Sequence, residues 1–255
     1  MGRFAKFGLV EAPILLALGL VWKLGLDRAT GKAALLAAAI LVGALLALVG
    51  QTYQTGADTF ELFFAWALAI LPWALVARFA ALWILWLGLA NLAVSLYFST
   101  FGGWLGLMFG TEEQLWLHFA LNTFGLVVWE VLAASGADWL RERWAVRILA
   151  TASGVCVTML ALIAVVDSGT RAGASLLAWA AWLAAAYAVY RHLLQDVFVL
   201  AGGTLSVIVV VAAFLGMHMI DGEGGGFLLI GMIVIALSAA GGYWLRSVVV
   251  AGESR

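Results

Sequence analysis

Residues 33–52 read A-A-L-L-A-A-A-I-L-V-G-A-L-L-A-L-V-G-Q-T, and no strongly polar side chain occurs before Gln51. A helix that crosses the hydrocarbon core of a bilayer needs about 20 consecutive apolar residues. The run lacks the period-2 alternation of apolar and polar residues that is typical of membrane β-barrel strands. The stretch therefore predicts a membrane-spanning α-helix.

Seven further stretches share this character, so the whole chain is predicted to be a polytopic helical bundle. The eight predicted spans cover residues 33–52, 59–76, 80–98, 115–134, 146–166, 172–190, 194–217 and 226–245. The second and third are almost continuous and would be too long for one bilayer crossing, so we expect a tight turn at Arg78. The fold class is all-α, in a single integral membrane domain over residues 1–255.

The overall composition supports the same conclusion. Hydrophobic residues make up 65% of the 255 positions and charged residues only 11%. A soluble domain carries about 25% charged residues, because its surface must face water. The one cysteine, Cys156, lies in an apolar run and excludes a disulfide framework. We expect no cofactor, no metal and no nucleic-acid partner. The lipid bilayer is the environment that this composition requires.

The basic residues are sorted between the two sides of the predicted bundle. If the eight helices alternate, ten of the 13 Lys and Arg residues fall on one side and only Arg171 on the other. Cytoplasmic connections carry such an excess of Lys and Arg. The pattern predicts that the C-terminus and the 135–145 connection are cytoplasmic.

Residues 1–26 form an N-terminal segment with two interpretations. The stretch from Leu9 to Trp22 is apolar apart from Glu11 and is short for a span. Basic residues flank both of its ends, so we expect an amphipathic helix in the interface. A short ninth span is the alternative.

Small residues form two predicted packing faces within the spans. Ala180, Ala184 and Ala188 lie at i, i+4 spacing, and Gly202 with Ser206 forms a second face. Such faces let membrane helices approach closely. The tryptophans inside the spans are interpreted as bulk packing.

One segment resembles a known family. Residues 50–75 read G-Q-T-Y-Q-T-G-A-D-T-F-E-L-F-F-A-W-A-L-A-I-L-P-W-A-L. This G-Q-x-Y segment, with its short acidic turn and aromatic-rich helix, resembles a bacterial family of predicted multi-pass membrane proteins of unknown function. The resemblance implies a bacterial inner-membrane location and supplies no reaction.

Polar residues at the predicted outer ends of the helices form the candidate site. Its members are Gln51, Tyr53, Gln54, Asp58, Glu61, His118, Asn122, His218 and Asp221. The structural interpretation of Gln51–Glu61 is a hairpin in which Gly56 adopts a positive φ and Asp58 or Thr59 caps the next helix. The functional interpretation is one site open to the outer side. We further predict that this turn packs against the helices carrying His118 and His218.

Two more candidates lie inside the predicted spans. Asn91 is interpreted as a residue that forms a hydrogen bond between helices, or else as part of a solute path. Glu130 lies about one turn from a helix end, where it can pair with Arg141 or Arg143 or reach water. An intramembrane carboxylate is otherwise a functional candidate.

No catalytic signature occurs in the sequence, so whether the chain is an enzyme stays open. The favoured function is a non-catalytic subunit or scaffold of an envelope complex, which binds a membrane or periplasmic protein or a second copy of itself. The alternatives are a transporter or channel for a small solute or ion, and a membrane enzyme acting on a lipid-linked substrate at the outer face. A fold of this kind supports any of the three.

Overall fold

The computed structural model describes residues 3–54, 56–102, 112–167, 171–219 and 225–253. Within these ranges every regular element is a helix, and nine helices are long and apolar enough to cross a membrane. They are α1 (Arg3–Leu24), α2 (Ala29–Tyr53), α3 (Thr59–Ala77), α4 (Ala80–Gly102), α5 (Glu112–Ala134), α6 (Arg143–Val166), α7 (Ala172–Ala188), α8 (Val197–Met219) and α9 (Gly225–Glu253). A 3₁₀ turn (Asp138–Leu140) precedes α6, and a π-helical turn (Val189–Leu193) extends α7. The prediction of an all-α polytopic bundle is confirmed.

The turn between the second and third spans lies at Arg78, as predicted. Helix α3 ends at Ala77 and α4 begins at Ala80, and Arg78 between them adopts the left-handed conformation with φ of 46°. Two residues are enough to reverse the chain here because this conformation ends a helix abruptly.

The N-terminal segment is more helical than its apolar run indicated. Helix α1 has 22 residues, and Ala5–Leu24 meets the length and composition of a span. It ends at Gly25, whose φ is 76° and whose N–H donates to the Val21 carbonyl over 2.9 Å. The predicted segment was shorter than α1 because the prediction rested on the apolar residues alone. Long basic side chains such as Lys6 can extend a helix into the interface.

The chain divides into two compact units. Unit 1 contains residues 1–114 and 127–145, and unit 2 contains residues 115–126 and 146–255. Helix α5 contributes to both. The expectation of a single domain stays a prediction.

The core of unit 1 is built where α2, α3 and α4 meet. Its fully buried side chains include Ile70 and Leu82. Small buried residues, among them Ala39 and Ala74, let the helices approach one another. The indole of Trp66 adds bulk against this core and donates to the Ala39 carbonyl over 2.8 Å.

Unit 2 is organised around α6. Val157, Leu160 and Ala161 on this helix are fully buried. Helices α6 and α8 run parallel, because Arg147 bonds Asp196 at one level and Thr158 bonds Ser206 about three turns further on. A parallel pair requires a connecting helix that runs back between their ends, and α7 is that helix.

Candidate functional site

The Gln51–Glu61 turn has the backbone geometry of a tight helix–helix connection. Gln54 ends α2 with φ of 46°, and Gly56 follows with φ of 68°. Asp58 occupies the N-cap position of α3, and its carbonyl accepts the Glu61 N–H over 3.1 Å. Its carboxylate makes no capping hydrogen bond to α3. The positive φ at Gly56 agrees with the structural interpretation, whereas the side-chain cap does not form.

The side chains of this turn face outward. Gln51, Tyr53, Gln54, Asp58 and Glu61 are all exposed. The Tyr53 ring lies 6.1 Å from the Phe7 ring of α1, measured between centroids. The turn therefore offers accessible amide and carboxylate groups at one end of unit 1.

His118 and Asn122 lie together on α5, as their spacing predicted. Both are buried, and the Asn122 side-chain amide donates to the His118 carbonyl over 2.8 Å. This bond lies within one helix. A carbonyl that already accepts a backbone bond keeps a second lone pair, which accepts one N–H of the Asn122 amide.

Glu130 pairs with Arg143, one of the two arginines proposed for it. Nη1 of Arg143 lies 3.0 Å from Oε1 and 3.4 Å from Oε2 of Glu130. The carboxylate side chain is 15% exposed and the arginine 32%. Arg141 instead pairs with Asp138 over 3.2 Å in an exposed contact. Glu130 thus forms an ion pair with the first residue of α6.

The remaining candidates are Asn91, His218 and Asp221. The Asn91 amide donates to the Leu87 carbonyl over 2.8 Å, within α4. His218 is exposed near the end of α8, where its Nδ1 lies 2.8 Å from the Phe214 carbonyl and its ring stacks on Phe214. Asp221 lies outside the described residues. That the Gln51–Glu61 turn meets the helices of His118 and His218 stays a prediction.

The described part of the chain contains no group of three or more His, Cys, Asp or Glu side chains arranged to hold a metal ion. Paired carboxylates and histidines close to a reacting centre are what acid–base or metal chemistry needs. Of the candidate residues, Asn122 bonds the backbone carbonyl of His118, and Glu130 pairs with Arg143.

Sequence reasoning missed a hydroxyl network in the middle of unit 2. Ser153 on α6 bonds Thr123 over 2.6 Å and accepts the Trp182 indole N–H over 2.9 Å. About a turn and a half further along α6, Thr158 bonds Ser206 over 2.6 Å. Trp179 also donates to this serine, over 2.8 Å. Ser206 and the tryptophans were noticed as packing residues, but nothing in a single helix shows which hydroxyl an indole will meet.

Beside this network lies an apolar groove of about 470 Å³. Its walls come from α6 between residues 150 and 162 and from α8 between residues 198 and 209, with Trp182 of α7 at its base. The polar side chains in its wall are Thr151, Thr158 and Ser206. Each of the three already has a hydrogen-bond partner within unit 2. We call this feature the α6–α8 groove.

A comparison with protein families agrees with the resemblance seen in the sequence. The model of a family described as Predicted membrane protein (DUF2157) matches residues 1–83. The matched part contains all of Gly50–Leu75 and confirms the resemblance to a membrane protein family of unknown function. No curated protein and no solved structure matches the chain. The protein is thus a multi-pass membrane protein, and its biochemical role has to be argued from its own residues.

Proposed function

We propose that this protein is a non-catalytic subunit of a bacterial inner-membrane complex, which holds a second membrane protein through α9. The observation that supports the proposal is the exposure of the residues of this helix. No residue between 226 and 247 of α9 is buried. An isolated face of large apolar side chains would simply suit lipid, but this face also contains small residues.

Two small residues of α9 lie on one exposed side. Ser238 and Gly242 are spaced by four positions, and both are exposed. A Cβ atom added at Gly242 would meet no atom within 4 Å. Small residues at this spacing let two membrane helices come into close contact, which adds van der Waals contacts that lipid tails do not make.

The intramembrane polar residues support a subunit over a solute path. Asn122 and Glu130 would line such a path, yet each makes a hydrogen bond inside its own unit. A group committed to a protein partner must give up that bond before it can coordinate a solute.

Mass measurement of the complex in mild detergent tests the proposal. The chain alone has a mass of 27.1 kDa, and we expect the purified protein to carry a further polypeptide. Gly242→Leu adds a bulky side chain to the exposed face and should release that polypeptide. Gly88→Leu on α4 is the matched control, because Gly88 is also exposed with no atom within 4 Å of an added Cβ. A wild-type protein that stays at 27.1 kDa in mild detergent would disprove the proposal.

The orientation of the complex follows from the basic residues. We propose a cytoplasmic C-terminus and a cytoplasmic 135–145 connection, which the excess of Lys and Arg supports. A Cys156→Ala background removes the native thiol. In that background a cysteine at exposed Asp58 should react with an impermeant maleimide in intact cells, and one at exposed Asp138 should not. The reverse labelling pattern would show that the protein has the opposite orientation.

A further inference from the structure

The α6–α8 groove is a lipid-facing trench with an apolar wall. Val155 and Met159 on α6 and Leu205 on α8 line it and are exposed. The hydroxyls of Thr158 and Ser206 bond each other, and Thr158 also donates to the Gly154 carbonyl. The hydroxyls of this wall therefore offer no free hydrogen-bond donor to a polar ligand, which would also lose its own hydration. The groove suits a hydrocarbon occupant.

The length of the groove fits an acyl chain. Residues 150 to 162 of α6 cover about 18 Å at 1.5 Å per residue, which is close to one leaflet of a hydrocarbon core roughly 30 Å thick. An extended hydrocarbon chain is narrower than a helix and ends near the middle of the bilayer.

One end of the groove carries positive charge. Arg147 lies on the same face of α6 as Thr151 and Val155, one and two turns before them, and its guanidinium lies 5.6 Å from the centre of the Phe198 ring. Phe198 lines the groove, so Arg147 is at its mouth. The arginine side chain is 47% exposed.

The Arg147 guanidinium has N–H groups that can donate to an anion. Its Nε bonds Oδ2 of Asp196 over 3.2 Å, and Oδ1 of that aspartate accepts the Phe198 N–H. Asp196 is buried beneath the arginine with 2% of its side chain exposed. A guanidinium has five N–H donors, and its terminal amino groups match the oxygens of a phosphate. Arg191 at the end of α7 adds positive charge at the same end of unit 2.

From these observations we propose that the α6–α8 groove is a binding site for an anionic phospholipid. One acyl chain fills the groove, and the headgroup phosphate accepts hydrogen bonds from Arg147. This site is independent of the α9 face, so either proposal can fail without the other.

Native mass spectrometry of the full-length protein with added lipid tests the site. Phosphatidylglycerol and phosphatidylcholine with identical acyl chains are the probes: both contain the phosphate, but the choline of the second lipid adds a cation that makes its headgroup neutral overall and repels Arg147. One charge-assisted hydrogen bond corresponds to about tenfold in affinity. We expect wild type to bind phosphatidylglycerol about tenfold more tightly than phosphatidylcholine. Equal affinity for the two lipids would overturn the proposal.

A pair of glycine variants on α8 tests whether the lipid occupies the groove. Gly202 lines the groove, and an added Cβ there would meet no atom within 4 Å. Gly202→Leu should therefore fold, fill the groove and lower phosphatidylglycerol affinity about tenfold. Gly216→Leu is the control, since Gly216 lies on the same helix outside the groove and also has no atom within 4 Å of an added Cβ. Unchanged binding by Gly202→Leu would overturn the proposal.

A charge-neutral double variant tests the headgroup contact. Arg147→Gln combined with Asp196→Asn removes both charges, so that neither is left buried alone. This variant should keep binding to phosphatidylcholine and lose the preference for phosphatidylglycerol. If Gly202→Leu instead releases a bound polypeptide while lipid binding stays the same, the groove is a protein interface and the lipid proposal is wrong.

Discussion

Each of the two units has a tryptophan that packs on a glycine of a neighbouring helix. In unit 1, a Cβ added at Gly43 would lie 2.5 Å from the Trp66 indole. In unit 2, a Cβ added at Gly154 would lie 2.9 Å from the Trp182 indole. Glycine provides the space that the indole fills in both places, and close packing of this kind is the main attraction between helices in lipid.

The two units differ in what accepts the indole N–H. Trp66 donates to a backbone carbonyl, that of Ala39, whereas Trp182 donates to the Ser153 hydroxyl. A carbonyl needs no particular side chain, so the unit 1 contact depends on shape alone. The Ser153 hydroxyl also bonds Thr123 of α5, and it therefore ties three helices together. Unit 2 depends on specific polar residues within its helices.

The ion pairs of the two units differ in the burial of the acid. Glu130 in unit 1 is 15% exposed, and Asp196 in unit 2 is 2% exposed. A buried charge that loses its partner cannot regain water, whereas one near the surface partly can. The comparison predicts that removing each arginine lowers the free energy of unfolding by a different amount.

The largest expected effect is therefore the loss of Arg147. Arg147→Ala should lower the free energy of unfolding by about 3 kcal/mol, because the buried Asp196 loses the guanidinium that balances its charge. Arg143→Ala should cost less, about 1–2 kcal/mol, since Glu130 keeps some access to water. Reversible unfolding in mixed micelles measures both values. Arg141→Ala removes an exposed pair and is the control, with a cost of at most about 0.5 kcal/mol. Equal costs for all three variants would remove the distinction between the units.

The next effect concerns the two glycines. Gly43→Ala should destabilise the protein by about 2 kcal/mol and Gly154→Ala by about 1 kcal/mol, because overpacking typically costs 1–3 kcal/mol and the first contact is closer. Gly88→Ala is the control, because no atom lies within 4 Å of its added Cβ. Alanine favours a helix over glycine, so this control should be neutral or slightly more stable. Thermal unfolding in one detergent compares the three, and a larger loss for Gly154→Ala would reverse the order.

A smaller effect should separate the two indole acceptors. Ser153→Ala should cost about 1 kcal/mol, and a double-mutant cycle with Trp182→Phe should give a coupling energy of about 0.6 kcal/mol, the average for hydrogen bonds between membrane helices. Cysteine at position 153 is a near-isosteric control that keeps a weak acceptor. A coupling energy of zero would mean that the hydroxyl contributes nothing and that both contacts depend on shape alone.

The smallest effect is expected at the Gln51–Glu61 turn. Asp58→Ala should change the free energy of unfolding by no more than about 0.3 kcal/mol, because the carboxylate makes no capping bond and a side-chain cap that did form would contribute about 1 kcal/mol. A loss of about 1 kcal/mol in the same unfolding assay would show that the carboxylate caps α3 in the membrane. A loss of complex assembly without loss of stability would instead mark the turn as a contact site.

The spans themselves could be predicted closely from the sequence. Each of the eight predicted segments coincides with a helix, although 194–217 begins three residues before α8, and the turn at Arg78 lies between residues 77 and 80. The thickness of the hydrocarbon core sets the length of each helix, and every backbone group must bond inside its own helix. These constraints act locally, so a window of about 20 residues contains the necessary information.

The candidate site could be predicted only in part. The i, i+4 spacing placed His118 and Asn122 together, and the charges near the 135–145 connection pointed to a partner for Glu130. The absence of a carboxylate cap at Asp58 was not foreseeable, because it depends on side-chain placement around the turn. Helix α1 was underestimated because its basic first turn was excluded from the apolar count.

What the sequence alone determined is thus the class of the protein, the position of its spans and the sorting of its charges. Only the tertiary structure decided which indole meets which acceptor and where the α6–α8 groove opens. Trp66 and its acceptor Ala39 are 27 positions apart, and Arg147 and Asp196 are 49 apart. Such pairs depend on the rotation and register of two packed helices. Nearly every face of these helices is apolar, so hydrophobicity along the chain does not distinguish the lipid-facing side from the protein-facing side.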